Sequence, residues 1–191
     1  MKIKIAVKSI LMTGLLSCTL LCLKSNAQEY VSPTTPPLTG RSPGVKVKLI
    51  SENGQTKTYA LIFSAGDEVM SGLKEFVVKY NVKSAHFTAI GDAMSAKYGW
   101  YDKTKKMFKV STINNFAEIT SLIGDVALYN NNPVVHAHIN LATEDGIVHG
   151  GHLLEAFVSP TLEVMMTVEP VSLSKKFSPE FGLILIEPDL N

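Results

Sequence analysis

The chain has 191 residues, with 18 Lys+Arg against 17 Asp+Glu for a formal charge of +1, and 46% of it is hydrophobic. That balance excludes a disordered chain, and the length suits one domain with a substantial core. A single arginine, Arg41, and a near-zero net charge leave no electrostatic case for nucleic acid as a partner.

Lys2, Lys4 and Lys8 precede the apolar run from Ile10 to Leu23, which ends at Lys24 and the small-residue site Ser25-Asn26-Ala27. A basic start, an apolar middle and a small-residue end mark residues 1–27 as a secretory signal peptide, and the run is too short for a transmembrane span. The protein is therefore expected to be exported, periplasmic or secreted. Cleavage after Ala27 would remove four lysines and no acid, taking the charge from +1 to −3, and would remove both cysteines, Cys18 and Cys22. The alternative is a lipoprotein anchored at Cys18, because Leu15-Leu16-Ser17-Cys18 faintly resembles a lipidation site.

Residues 28–43 hold four prolines in QEYVSPTTPPLTGRSP, a composition that predicts an extended, poorly ordered leader outside the core. Residues 44–191 then form one domain. Val45, Val47 and Leu49 alternate with lysines as in a half-buried strand, Asn53-Gly54 supplies a hairpin turn, and the chain returns through Tyr59 to Phe63. Ser64 to Asp67 reads as a capping segment with acidic residues entering the first turn of a helix. In that helix Val69, Met70, Leu73, Phe76, Val77 and Tyr80 recur at helical spacing as a core stripe.

Strands are predicted over Ala85–Ile90, Ser95–Tyr101, Met107–Ile113, Phe116–Leu128, Val134–Ala142, Ala156–Val158, Leu162–Val168 and Leu183–Ile186. The turns fall at Gly91-Asp92, at the lysine-bearing tip Asp102 to Lys106, at Asn130 to Pro133 and at Glu144-Asp145-Gly146. Many strands with one or two helices specify an α+β domain built on a largely antiparallel or mixed sheet.

Four of the five histidines, His136, His138, His149 and His152, lie between residues 136 and 152. Two residues apart on a strand, His136 and His138 project from one face about 6.6–6.8 Å apart, close enough to converge on one ion. The turn at Thr143 to Gly146 brings the chain back, and Gly150-Gly151 allows His152 to approach closely. Three neutral imidazoles with an open fourth position describe a site for Zn²⁺ or a similar divalent metal. His149 is a possible extra ligand or a solvent-facing neighbour, and the isolated His86 reads as a hydrogen-bonded core residue.

The segment Val135 to Val164, VHAHINLATEDGIVHGGHLLEAFVSPTLEV, resembles the PPC (plant and prokaryote conserved) domain family. Three other motifs occur in the family's order: Glu118 to Gly124, Ala89 to Ala93 and Ser64 to Glu68. The resemblance covers about residues 44–170. It implies a compact α+β fold, assembly as a homotrimer, and a metal held by His136, His138 and His152. It also carries a DNA-binding label, from plant members in which the domain accompanies AT-hooks that this chain lacks. A more distant resemblance, to the zinc enzyme acetolactate decarboxylase, implies a metal-dependent lyase or hydrolase as the alternative function. In that reading Glu118 is the candidate general base, and the cation needed beside a substrate carboxylate has no evident occupant. The leading expectation is an exported protein that binds metal, with a small-molecule ligand and no assigned chemistry.

Overall fold

The computed structural model describes residues 27–189. The predicted signal segment up to Asn26, with Cys18 and Cys22, lies outside them. Among the described residues no helix is long and apolar enough to cross a membrane.

Among the described residues ten strands and one helix follow in order: β1 (Tyr30–Val31), β2 (Lys46–Asn53), β3 (Thr56–Ser64), α1 (Val69–Lys79), β4 (Ser84–Asp102), β5 (Met107–Ile113), β6 (Ala117–Tyr129), β7 (Asn132–Ala142), β8 (Val148–Val168), β9 (Lys175–Ser178) and β10 (Leu183–Ile186). The first eight strands form one sheet in the order β1-β5-β4-β6-β7-β8-β3-β2, and β9 and β10 form a separate hairpin. The named strand pairs are all antiparallel. This is the expected α+β domain, with the antiparallel form of the sheet.

Two long strands close the sheet on itself. Along its first half β4 pairs with β6 on one edge and with β8 on the other, while β6 to β7 to β8 completes the circuit. The sequence suggested a break in each of these strands, at Gly91-Asp92 and before Leu162. Instead β4 runs through Gly91 as an irregularity, its register shifting on both sides of that residue. A side chain at Gly91 would begin 2.3 Å from the Thr161 carbonyl oxygen, so the glycine marks a close approach of β4 and β8. The Asn130-Asn131 turn is also tighter than expected, since both residues are left-handed and Tyr129 pairs directly with Asn132.

Helix α1 packs on β7 and β8, and Val69, Met70, Leu73, Phe76 and Val77 are buried as the spacing predicts, whereas Tyr80, the last residue of the predicted stripe, is the C-cap and is exposed. Its cap differs from expectation. Glu68 is the N-cap, its carboxylate accepting from the Met70 and Ser71 amides, and the first turn itself holds no acid. Asp67 accepts instead from the amides of Gly44 and Ser64, both at 2.8 Å.

The proline-rich residues 28–43 are irregular, with a turn after Ser32, and they are laid against the domain. Tyr30–Val31 pairs with β5, Ser42 is buried, and Arg41 reaches Glu155 at 2.8 Å while its guanidinium lies 4.8 Å from the Phe157 ring centre. Polar and backbone groups make most of these contacts, which an apolar pattern does not register.

Candidate metal centre

On β7 the even positions face out and the odd positions, Val135, Ala137, Ile139 and Leu141, are buried. His136 and His138 therefore stand together on the outer face. His152 arrives from β8 at the point where that strand passes from β7 to β4, since it pairs in register with both His138 and Gly99. A side chain at Gly150 would begin 2.3 Å from the Asn140 side-chain oxygen, and one at Gly151 2.6 Å from the Gly99 carbonyl. The glycine pair thus serves close strand packing, as its position suggested, and neither residue needs a left-handed backbone.

One nitrogen from each of His136, His138 and His152 lies within 4.8 Å of the others. The ring centres are 5.2 Å apart for His136 and His138, 5.1 Å for His136 and His152, and 5.6 Å for His138 and His152. Burial, and then the charges of His136, His138 and Lys175, lower the His152 pKa to about 3. Burial followed by His136 also lowers His138. Proton loss leaves lone pairs available for a cation. His152 Nδ1 is moreover buried without a hydrogen-bond partner, an orphaned acceptor or donor that a protein without a further ligand rarely keeps.

Outer contacts hold these rings. Asp125, opposite His136 in the β6–β7 register, places Oδ2 3.2 Å from His136 Nδ1. The carboxylate accepts there, which leaves Nε2 as the free nitrogen of that ring. Lys175 Nζ lies 2.6 Å from Asp125 Oδ1. Burial raises the Asp125 pKa, but the hydrogen bond with His136 and the adjacent Lys175 ammonium outweigh it and hold the carboxyl below its ordinary value. Phe108 of β5 stacks on His152 with centres 4.2 Å apart. Residue spacing identified none of Asp125, Lys175 and Phe108.

The donor set fits a divalent ion, which His136, His138 and His152 would hold and which would act there as a Lewis acid. A hollow of about 300 Å³ beside the rings is lined by Phe87, Ile123, Gly124, Asp125, His136 and His138. Gly124 is closely packed, since an added Cβ would lie 2.3 Å from both the His136 carbonyl oxygen and the Phe87 ring. Gly124→Ala is expected to destabilise the fold by about 1–3 kcal/mol in denaturant unfolding, through overpacking between two strands. Unchanged stability would show that β6 and β7 can part there freely.

The structure does not bring every candidate to this centre. His149 pairs with Leu141, and lines a different hollow with Tyr98, Asn114, Glu144 and Asp145. Glu118 pairs with Ala142, whereas His138 is opposite Ile123. Ile123 is five strand steps from Glu118, about 17 Å at the usual rise, so within one chain Glu118 is remote from the histidines. His86 is exposed rather than buried, with Nδ1 3.6 Å from Glu169 Oε1. Arg41, ion-paired with Glu155, is likewise committed elsewhere.

Residues 50–169 match the Plants and Prokaryotes Conserved (PCC) domain. Among solved structures, a plant- and prokaryote-conserved (PPC) protein of Pyrococcus horikoshii is 32% identical with a TM-score of 0.65, over 74% of this chain and 99% of that one. A metal-containing protein of Archaeoglobus fulgidus is 27% identical with a TM-score of 0.63, over 75% and 97%. A protein of Ralstonia eutropha described as a candidate DNA-binding protein is 29% identical with a TM-score of 0.64, over 68% and 90%. No curated protein matches the sequence. The matched stretch contains the three histidines and the strands that position them, and the chain belongs to the Plants and Prokaryotes Conserved (PCC) domain family.

Proposed function

We propose that this is an exported metal-binding protein of the family, holding one Zn²⁺ or similar divalent ion per chain through His136, His138 and His152 and binding a small molecule in the adjoining hollow. The observation that carries the reading is the convergence of three imidazole nitrogens within 4.8 Å. The metal-containing relative from Archaeoglobus fulgidus supports it. Residues 1–27 are the reason for proposing export. We further propose a homotrimer. The outer sheet face beside the histidines exposes Ile90 (62%), Ile123 (55%) and Met165 (44%), an apolar strip that other copies of the chain would cover.

Purified protein equilibrated with Zn²⁺ and dialysed is expected to retain about one metal per chain by elemental analysis, and to run in light scattering at about three times the chain mass. His138→Ala is expected to retain almost none. A metal-free parent protein would sink the metal reading, and a monomeric one the assembly. DNA binding is the second reading, favoured by the description of the Ralstonia relative. The single arginine is occupied by Glu155, and phosphate binding needs clustered cations. The same sample is therefore expected to give no mobility shift with duplex DNA at low salt.

A further inference from the structure

Beyond residue 169, where the family match ends, the chain forms the β9–β10 hairpin. Its base is tied to β6, because the Leu128 amide donates to the Leu173 carbonyl at 2.8 Å, and Glu187 closes it onto Ser174 at 2.9 Å. Its far end is tied to the β4–β5 hairpin. There Lys106 Nζ donates to the Pro179 carbonyl at 2.7 Å and the Tyr101 hydroxyl donates to the Phe181 carbonyl.

Both attachments lead to a histidine. From the base, Lys175 reaches Asp125 Oδ1, and the other oxygen of that carboxylate meets His136. From the far end, Tyr101 packs edge-on against Phe108 at 5.6 Å, and Phe108 stacks on His152. The Lys175 side chain is only 3% exposed. Burying an ammonium is costly unless it is paired, and a hairpin that served only as a tail could be anchored by apolar contacts without that cost.

We propose that the C-terminal hairpin is the positioning element of the tri-histidine centre, with Lys175 as its key positioning residue. Lys175 fixes one oxygen of Asp125, so that the other is aimed at His136 Nδ1 and the ring is turned with its remaining nitrogen toward the metal. Outer partners of this kind set ligand orientation and basicity. The inference rests on the metal-binding reading above.

The test uses the full chain, with Zn²⁺ affinity measured by competition against a chromophoric chelator and the absorption bands of bound Co²⁺ as a record of ligand geometry. Lys175→Met is expected to weaken Zn²⁺ binding about 10–100-fold and to shift the Co²⁺ bands. Lys175→Arg should recover most of both. Asp125→Asn should lose a similar factor, and Lys175→Met added to it should lose little more, since the lysine acts through that carboxylate. If Lys175→Met lowers only the melting temperature, with affinity and spectrum those of the parent, the proposal is overturned and Lys175 merely holds the hairpin. Should Lys175→Met fail to fold, parent-like affinity in Asp125→Asn overturns it equally. A parent chain that takes up no metal overturns the underlying reading itself, a different result from either.

Discussion

His152→Ala is expected to weaken Zn²⁺ binding by more than about 100-fold, beyond what losing an outer partner costs. His152 is the proposed ligand that strand topology alone delivers, since it stands where β8 leaves β7 for β4. The remaining pair on β7 cannot replace it, and His149, opposite Leu141, lines another hollow. Thermal unfolding separates this effect from packing. A ligand that binds only the folded state adds about 4 kcal/mol at a thousand times its dissociation constant, so the parent should melt several degrees higher with excess Zn²⁺. The variant should show almost none of that rise, while its metal-free melting temperature moves much less, because the lost ring carries an unpaired buried nitrogen. A Zn²⁺-dependent rise that survives in His152→Ala would place the metal elsewhere.

How far this centre was legible in advance follows from how each part is encoded. His136 and His138 share a strand, and a period of two puts them on one face whatever the rest of the chain does. His152 was accessible for a different reason, as Gly150-Gly151 announces a place where backbones meet, and here they meet Asn140 and Gly99. Asp125 lies 11 residues from its histidine, and nothing in β6 taken alone says that it will be opposite His136 and not one position away. Lys175 and Phe108 depend on pairings farther apart still. Register between distant strands is set by the whole sheet, so contacts made through it leave no local pattern.

The fold shows the same division. The α1 stripe and β10 needed only local periodicity, and both occur where expected except at Tyr80, which caps the helix and is exposed. The long strands β4 and β8 were read in pieces because glycine and proline usually punctuate structure, whereas here Gly91 and Ser159-Pro160 lie inside strands. The leader was misplaced because it is fastened by backbone groups and by Arg41 rather than by apolar burial. The tie from Arg41 to Glu155 is partly exposed and worth at most about 1 kcal/mol. A more consequential fastening is the one beneath it, at Glu68.

Glu68→Ala is expected to cost about 3–5 kcal/mol, since three amides lose their acceptor in a buried place. The carboxylate takes the Met70 amide at 3.0 Å and the Ala156 amide at 3.2 Å on Oε1, and the Ser71 amide at 2.7 Å on Oε2. It is 2% exposed, and its own backbone amide donates to the Arg41 carbonyl, so helix, β8 and leader join there. Glu68→Gln keeps one acceptor oxygen and should cost less, while removing the charge. That makes it the probe for pH. Burial is the largest influence on Glu68 and raises its pKa above 4.5, against the lowering effect of the three amides and Arg41. The folded protein therefore holds this proton more tightly than the unfolded chain does. It follows that the contribution of Glu68 to stability falls as pH rises from about 4.5 through the folded value. Subtracting the Glu68→Gln unfolding free energy from that of the parent at each pH removes the other titrating groups, Asp125 among them. The difference should decline with rising pH over that window, and a difference that rises instead would mean the amides outweigh burial at the cap.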